Sequence, residues 1–255
     1  MDIYEFEKWV FKNFKINLSA YKSNQLHRRI NSLMSRVGVD SFEEYTKLLL
    51  KDEEQRQKFM DFITINVTEF FRNPDLFDEL TKKIEKEILP NNKALKVWSA
   101  ACSNGSEPYS LAMILDSLEP SGKCKITATD LDNTILNKAK TGEYQEAEIK
   151  NIKPEYIKKY FTKQNDKYII SSKIKSMVNF KKHDLILDDY DKGFDIIVCR
   201  NVVIYFNNDI KNNIYKKFHD SLKPGGLLFV GATESIYNYK EMGFEKSSTF
   251  IYRKA

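Results

Sequence analysis

Cysteine is scarce in this chain. Cys102, Cys124 and Cys199 are odd in number and far apart. They exclude a disulfide framework and read as reduced thiols of a cytoplasmic protein. Histidine is equally scarce, and His27, His183 and His219 are too scattered to join the cysteines in a zinc motif, so no metal is expected. No apolar run approaches the roughly 20 residues that span a bilayer, which argues against membrane insertion. The opening residues, Met1-Asp2-Ile3-Tyr4-Glu5-Phe6, are acidic and aromatic, unlike a secretory signal. Internal repeats and low-complexity tracts are absent too.

What is present suits a globular protein. The 255 residues are 42% hydrophobic and 30% charged, enough for one large domain or two small ones. The net charge of +5 is unevenly placed: Lys150 to Lys182 holds ten lysines against Glu155 and Asp166. Such a patch attracts nucleic acid, anionic membrane or an acidic protein surface. A lysine-rich solvated face accounts for it equally well.

The first 65 or so residues read as helices. Ile3, Phe6, Val10 and Phe14 recur at helical spacing over 2–15. A second helix is expected over about 20–37, stopping at Gly38. It carries Lys22, Arg28, Arg29 and Arg36 with no acid between. Ser41 and Glu44 form a capping-box pattern before a third. Residues 53–65 read as a fourth, with Phe59, Phe62 and Ile63 on one side. The run Ile65 to Pro74 breaks the pattern. Asn66 and Thr68 suit a loop or cap, and Phe70 and Phe71 suit core packing. Arg72 suits either a surface ion pair or a fixed cation for a carboxylate. Pro74 opens a helix that ends before Pro90.

From residue 94 onward strands and helices alternate, which argues for a parallel, doubly wound α/β sheet. Strands are expected near 95–100, 125–130, 177–182, 194–199 and 227–231, the last after a break at Pro224-Gly225-Gly226. Helices are expected over 107–118, 132–140 and 208–222. Phe244 to Arg253 reads as an antiparallel hairpin at the sheet edge. Residues 151–178 form the lysine-rich insert, with a short strand at Tyr168-Ile169-Ile170.

The stretch Lys96 to Leu111 reads as strand, tight loop and helix. Such a loop aims backbone N–H groups and a helix N-terminus at a ligand. Asp130 follows 25 residues after Gly105, at a strand end where an acidic residue commonly takes ribose hydroxyls. With a single glycine, the same residues also fit an ordinary strand–helix turn. A second strand ends in Arg200-Asn201. Ligands of open α/β sheets sit beyond the carboxyl ends of strands, where Glu107, Asp130, Arg200 and Asn201 should converge. Arg200 also fits a buried ion pair, Asn201 a helix cap, and Tyr205 the core with its hydroxyl at the rim.

Four segments together resemble the chemotaxis receptor methyltransferases, the CheR family. They are Ile65 to Arg72, Val97 to Leu111, Ala128-Thr129-Asp130-Leu131-Asp132 and Cys199 to Phe206. Their order and spacing cover nearly the whole chain. The resemblance implies a small all-helical N-terminal domain (1–65) that docks on receptor. It implies a linker and first catalytic helix (66–90) and a doubly wound catalytic domain (91–255) with 151–178 as an inserted β-subdomain. It implies S-adenosylmethionine as cofactor, S-adenosylhomocysteine as product and chemoreceptor glutamates as substrate, giving glutamate methyl esters.

By match to the family's motifs, Asn66, Thr68 and Arg72 would line the cofactor, and Glu107 and Asp130 would hold its polar ends, Asp130 the ribose. Asp184 and Leu185 match the adenine-side pair, and Arg200 and Asn201 match the segment after the fourth strand. Arg72 and Tyr205 match positions that orient the reacting groups. Ser106 stands where the family has an acidic residue before Glu107. Arg28, Arg29 and Arg36 would face a glutamate-rich receptor. Some members grip a receptor C-terminal peptide through a longer, glycine-containing loop in the insert. The run Thr162 to Lys167 is short and lacks glycine, so no such tether is expected, nor nucleic acid; the enzyme is expected to act as a monomer.

The chemistry is consistent with this. A glutamate carboxylate has a reference pKa of about 4.3 and is already ionised at neutral pH. Attack on a sulfonium methyl therefore needs no general base, which fits the absence of a His/Asp pair. Two other readings remain: a methyltransferase of the same fold acting on RNA or a small molecule, and a non-enzymatic cofactor-binding adaptor.

Overall fold

The computed structural model describes residues 1–255, and the chain folds as two compact units. The first comprises Met1–Asn66 with Tyr205–Asn212, the second Val67–Ile204 with Asn213–Ala255. No helix is long and apolar enough to cross a membrane.

The first unit is built from α1 (Ile3–Phe14), α2 (Ser23–Arg36), α3 (Phe42–Lys51) and α4 (Glu53–Thr64). Side-chain oxygens start three of them. Asp2 forms a full capping box with Glu5, Ser41 accepts from the Glu44 N–H, and Asp52 accepts from the Gln55 N–H. Phe6 and Phe59 are fully buried, with ring centroids 6.1 Å apart, and Tyr45 closes the same cluster. Helix α2 starts later than the periodicity implied, because Leu18–Ala20 forms a separate short turn and Tyr21 is extended. Phe62 does not join Phe59 and Ile63 in the core. Its ring carries the Arg29 guanidinium at 4.3 Å. The short segment Tyr205–Asn212 belongs to this unit: the Tyr205 carbonyl accepts from the Lys22 N–H at 2.9 Å, and Tyr21 stacks edge-on to Phe206.

In the second unit, α5 (Pro74–Lys83) precedes β1 (Lys96–Ala100), α6 (Ser106–Ser117), β2 (Lys125–Asp130) and α7 (Asn133–Thr141). A small region follows: β3 (Glu143–Gln145), α8 (Pro154–Tyr160), β4 (Phe161–Gln164), β5 (Lys167–Ile170) and α9 (Ser172–Ser176). The chain then returns through β6 (Val178–Lys182), β7 (Phe194–Cys199), α10 (Asn208–Ser221), β8 (Leu222–Val230), β9 (Phe244–Lys246) and β10 (Ile251–Lys254). The main sheet has seven strands in the order β6-β2-β1-β7-β8-β10-β9. All neighbours through β8 are parallel, and β10 pairs antiparallel with both β8 and β9. Strand order therefore reverses between β1 and β7, and the carboxyl ends of these two strands define the crevice.

Two local expectations are corrected. The break at Pro224-Gly225-Gly226 lies inside β8, which starts at Leu222; a register shift opposite Phe194 and Ile196 absorbs the extra residues, with Gly225 at φ 75°. The run Thr162 to Lys167 is not a loop. Its ends are β4 and β5, joined by a two-residue turn at Asn165-Asp166, with Asn165 at φ 52°. This hairpin and β3 make a separate three-stranded antiparallel sheet.

The lysines of the insert are largely paired with local carboxylates. Lys173 and Lys159 meet Asp116 at 2.5 and 3.6 Å, Lys167 meets Glu143 at 2.7 Å and Lys153 meets Asp78 at 3.1 Å. Much of the apparent patch is thus neutralised within the fold.

Phe70 and Phe71 are core residues. Phe70 packs edge-on against Tyr144 at 4.7 Å and Phe161 at 5.8 Å, which locks the connecting segment to the small sheet. Phe70→Ala should destabilise the protein by about 3–5 kcal/mol, read as a lower denaturant midpoint. An unchanged midpoint would mean that the segment is not held by this contact.

Candidate active site

The loop after β1 is short because its backbone tolerates left-handed geometry: Ala101, Ser103 and Gly105 have φ of 63, 49 and 88°. A Cβ at Gly105 would meet Ala139 Cβ at 3.0 Å and the Tyr144 hydroxyl at 3.1 Å, so close packing as well as φ favours glycine here. The loop delivers Glu107 to the first turn of α6, where the whole first turn is buried.

Glu107 Oε1 accepts from the Ser99 hydroxyl at 2.8 Å. Its Oε2 lies 4.0 Å from Arg200 Nη1, at the limit of an ion pair. Burial pushes the Glu107 pKa from the usual 4.5 up to about 7; Arg200 and the Ser99 hydrogen bond oppose the rise, Glu234 adds to it, and Arg72 opposes it. Arg200 sits over Phe229 at 4.8 Å and Phe77 at 5.2 Å, and Nη2 donates to Asn73 Oδ1 at 2.8 Å. Asn73 makes no cap for α5, so its side chain serves Arg200 instead.

Asp130 ends β2 and is buried. Its two oxygens accept the Ser103 and Asp132 N–H groups at 2.8 and 3.1 Å. Burial raises its pKa and these backbone donors oppose the rise. Cys102 lies near both acids, and burial with their charges raises its thiol pKa. Beyond β6, the His183 N–H donates to the Asp130 carbonyl at 2.9 Å, which brings Asp184 and Leu185 to the same end of the sheet. Asp184 Oδ1 caps its own turn through the Ile186 N–H at 2.7 Å, and Leu185 is buried.

Of the residues named from sequence, Glu107, Asp130, Arg200 and Asn201 meet at the carboxyl ends of β1, β2 and β7. Arg72 joins them electrostatically, through its effect on Glu107 and Arg200, and its Nη1 donates to the Val67 carbonyl at 3.3 Å. Thr68 lies in the same connecting segment. Asn66 closes the first unit, next to Ile65 at φ 49°. Tyr205 belongs to the first unit. There it lies near Arg29, whose pKa burial lowers while Tyr205 and Tyr21 oppose the change. Arg29 donates to the Phe62 carbonyl and is half-buried, whereas Arg28 and Arg36 are exposed.

Sequence reasoning missed Ser99, Asn73, Ser103 and Glu234. The last two carried a readable signal: Ser103 lies in the loop already singled out, and Glu234 lies just past a strand's carboxyl end, as Asp130 does.

The raised Glu107 pKa fixes the sign of a pH effect. The stability it contributes is fully present below about pH 4.5 and is lost as pH rises through about 7. The stability of Glu107→Gln relative to the parent should therefore improve across this window, by at most on the order of 3 kcal/mol. Parallel denaturation curves at acid and neutral pH measure it. A pH-independent difference would place the titration elsewhere.

Sequence comparison also divides the chain near residue 65, although it counts Tyr205–Asn212 with the second domain. Residues 66–251 match the SAM-binding domain of CheR methyltransferases, and residues 1–64 match their all-alpha domain. A chemotaxis protein methyltransferase of Listeria monocytogenes is 40% identical over 254 residues, covering 99% of this chain and 97% of that one. One from Borreliella burgdorferi is 38% identical, covering 95% and 91%, and one from Klebsiella aerogenes is 33% identical, covering 89% and 80%. A match of this extent, through both domains and across the acidic crevice, means that the chain belongs to the CheR methyltransferase family and is an S-adenosylmethionine-dependent methyltransferase.

Proposed function

We propose that this enzyme methylates glutamate carboxylates in the cytoplasmic domains of chemoreceptors, giving glutamate methyl esters in chemotactic adaptation. The observation that carries the reading is the end-to-end likeness, helical domain included, to proteins named chemotaxis protein methyltransferase. The enzyme is then a cytoplasmic protein acting as a monomer, with residues 1–65 as its receptor-docking domain and 91–255 as its catalytic domain.

The crevice suits S-adenosylmethionine. Ser103 Oγ, Asn201 Oδ1 and Arg200 Nε are buried polar atoms without a partner in the chain, as expected of groups that meet a polar ligand. Each Asp130 oxygen accepts one backbone N–H and keeps a further lone pair, room for ribose hydroxyls. Glu107, once ionised, faces the cofactor's cationic end, with Arg200 and Asn201 beside it. Asp184 and Leu185 take the adenine side and Thr68 adds to the lining, while Asn66 matches a further cofactor position of the family. The bound cofactor supplies a methyl group on a sulfonium, a strong electrophile. The rest falls to the chain: Arg72 offers a planar fork that holds the substrate carboxylate in line, Tyr205 matches the family position that orients the reacting groups, and the exposed Arg28 and Arg36 draw the acidic receptor. Orientation of this kind contributes on the order of 7–11 kcal/mol in well-aligned reactions.

Transfer of labelled methyl groups to receptor cytoplasmic fragments, followed by base-labile release as methanol, tests the reaction; label on RNA and none on receptor would refute it. Asp130→Ala should lose roughly 1–3 kcal/mol of cofactor binding by calorimetry, and wild-type affinity in the folded variant would rule out the ribose role. The two-residue Asn165-Asp166 turn supports a receptor contact without a tether: titration with a receptor C-terminal peptide should give no saturable binding, and micromolar affinity would overturn this.

A further inference from the structure

Glu234 lies just beyond β8 and is buried. Its Oε2 accepts the Gly231 N–H at 2.6 Å and the Asn201 N–H at 2.8 Å. Through these two bonds one side chain ties the carboxyl end of β8 to the turn that follows β7. The approach is tight: a Cβ at position 231 would lie 2.5 Å from Oε2 and 3.0 Å from the Asn201 N. Asn201 itself is at φ 60°, in the left-handed region that asparagine enters more readily than other side-chain-bearing residues. The same turn presents Arg200 to Glu107. Oε1 is buried without a partner, so the carboxylate is not there to complete a closed structural network.

We propose that Glu234 is a positioning residue of the methyl-transfer site, fixing the Arg200–Asn201 turn in the conformation that receives the cofactor. The inference rests on the cofactor roles proposed for Arg200 and Asn201. Glu234 acts in two ways. Its oxygens hold the backbone of the turn, and its charge bears on Glu107. Glu107 is also faced by Ser99 from β1, Cys102 and Arg72 from loops, and Cys199 and Arg200 from the β7 end. Removing the Glu234 charge therefore makes Glu107 easier to ionise.

The test is calorimetric titration of the full chain with S-adenosylhomocysteine, at pH values on either side of the Glu107 midpoint. Asn201→Ala first checks the underlying reading: wild-type affinity there refutes the site assignment itself. Glu234→Ala should bind about 10–100-fold more weakly, and Gly231→Ala should reproduce that loss by displacing the carboxylate. Glu234→Gln keeps the shape and one acceptor. It should weaken binding less than Ala does and move the pH midpoint of binding downward. Impaired Asn201→Ala with wild-type binding in both Glu234 variants would overturn the proposal. So would a Glu234→Gln whose affinity falls with no movement of the midpoint, which is the behaviour of a purely structural residue. If Glu234→Ala fails to fold, the Glu234→Gln midpoint decides.

Discussion

Bringing a carboxylate and a guanidinium out of water costs more than their attraction returns unless the geometry is close and the remaining polar atoms are satisfied. The Glu107–Arg200 pair meets neither condition fully. Its separation of 4.0 Å is long, and Arg200 Nε has no partner. The incomplete compensation appears in Glu107, whose pKa rises to about 7 despite the neighbouring cation. A site left in this state favours a charged, hydrogen-bonding ligand that completes it.

Much of the second unit serves to hold this pair. Glu107 comes from the first turn of α6, just after the β1 loop, and Arg200 from the end of β7; β1 and β7 are the parallel neighbours between which strand order reverses. Asn73 gives up a helix cap to hold Arg200, and Phe77 and Phe229 present ring faces to its guanidinium. Asp130 is fixed by backbone donors at the next strand end. The two acids thus differ in their surroundings: Asp130 is held by neutral N–H groups, whereas Glu107 is balanced against charged side chains of both signs.

The lysine-rich insert shows how composition misleads when read alone. Ten lysines between positions 150 and 182 read as an electrostatic surface. In the fold, Asp116, Glu143 and Asp78, all from outside that interval, approach several of them. Exposed pairs of this kind add little stability, but they reduce the local positive charge that the composition implies. Similarly, α2 carries three arginines, yet Arg29 lies against Phe62 and donates to its carbonyl, leaving Arg28 and Arg36 as the exposed ones.

The sequence by itself determined the alternation of elements, the helical first region, the helix-start position of Glu107 and the strand-end positions of Asp130 and Arg200. These follow from local periodicity, caps and turns, which short stretches encode. It also carried enough motif to identify the family. Only the tertiary structure decided which long-range partners those residues have. Ser99 and Asn73 are ordinary in type, and nothing local marks a serine or an asparagine as the partner of a buried charge. Tyr205–Asn212 joins the first unit for the same reason: its pairing with Ala20, Tyr21 and Lys22 spans most of the chain. Hydrogen bonds to buried charges are set by where the backbone places two segments, and that placement exists only once the sheet has formed.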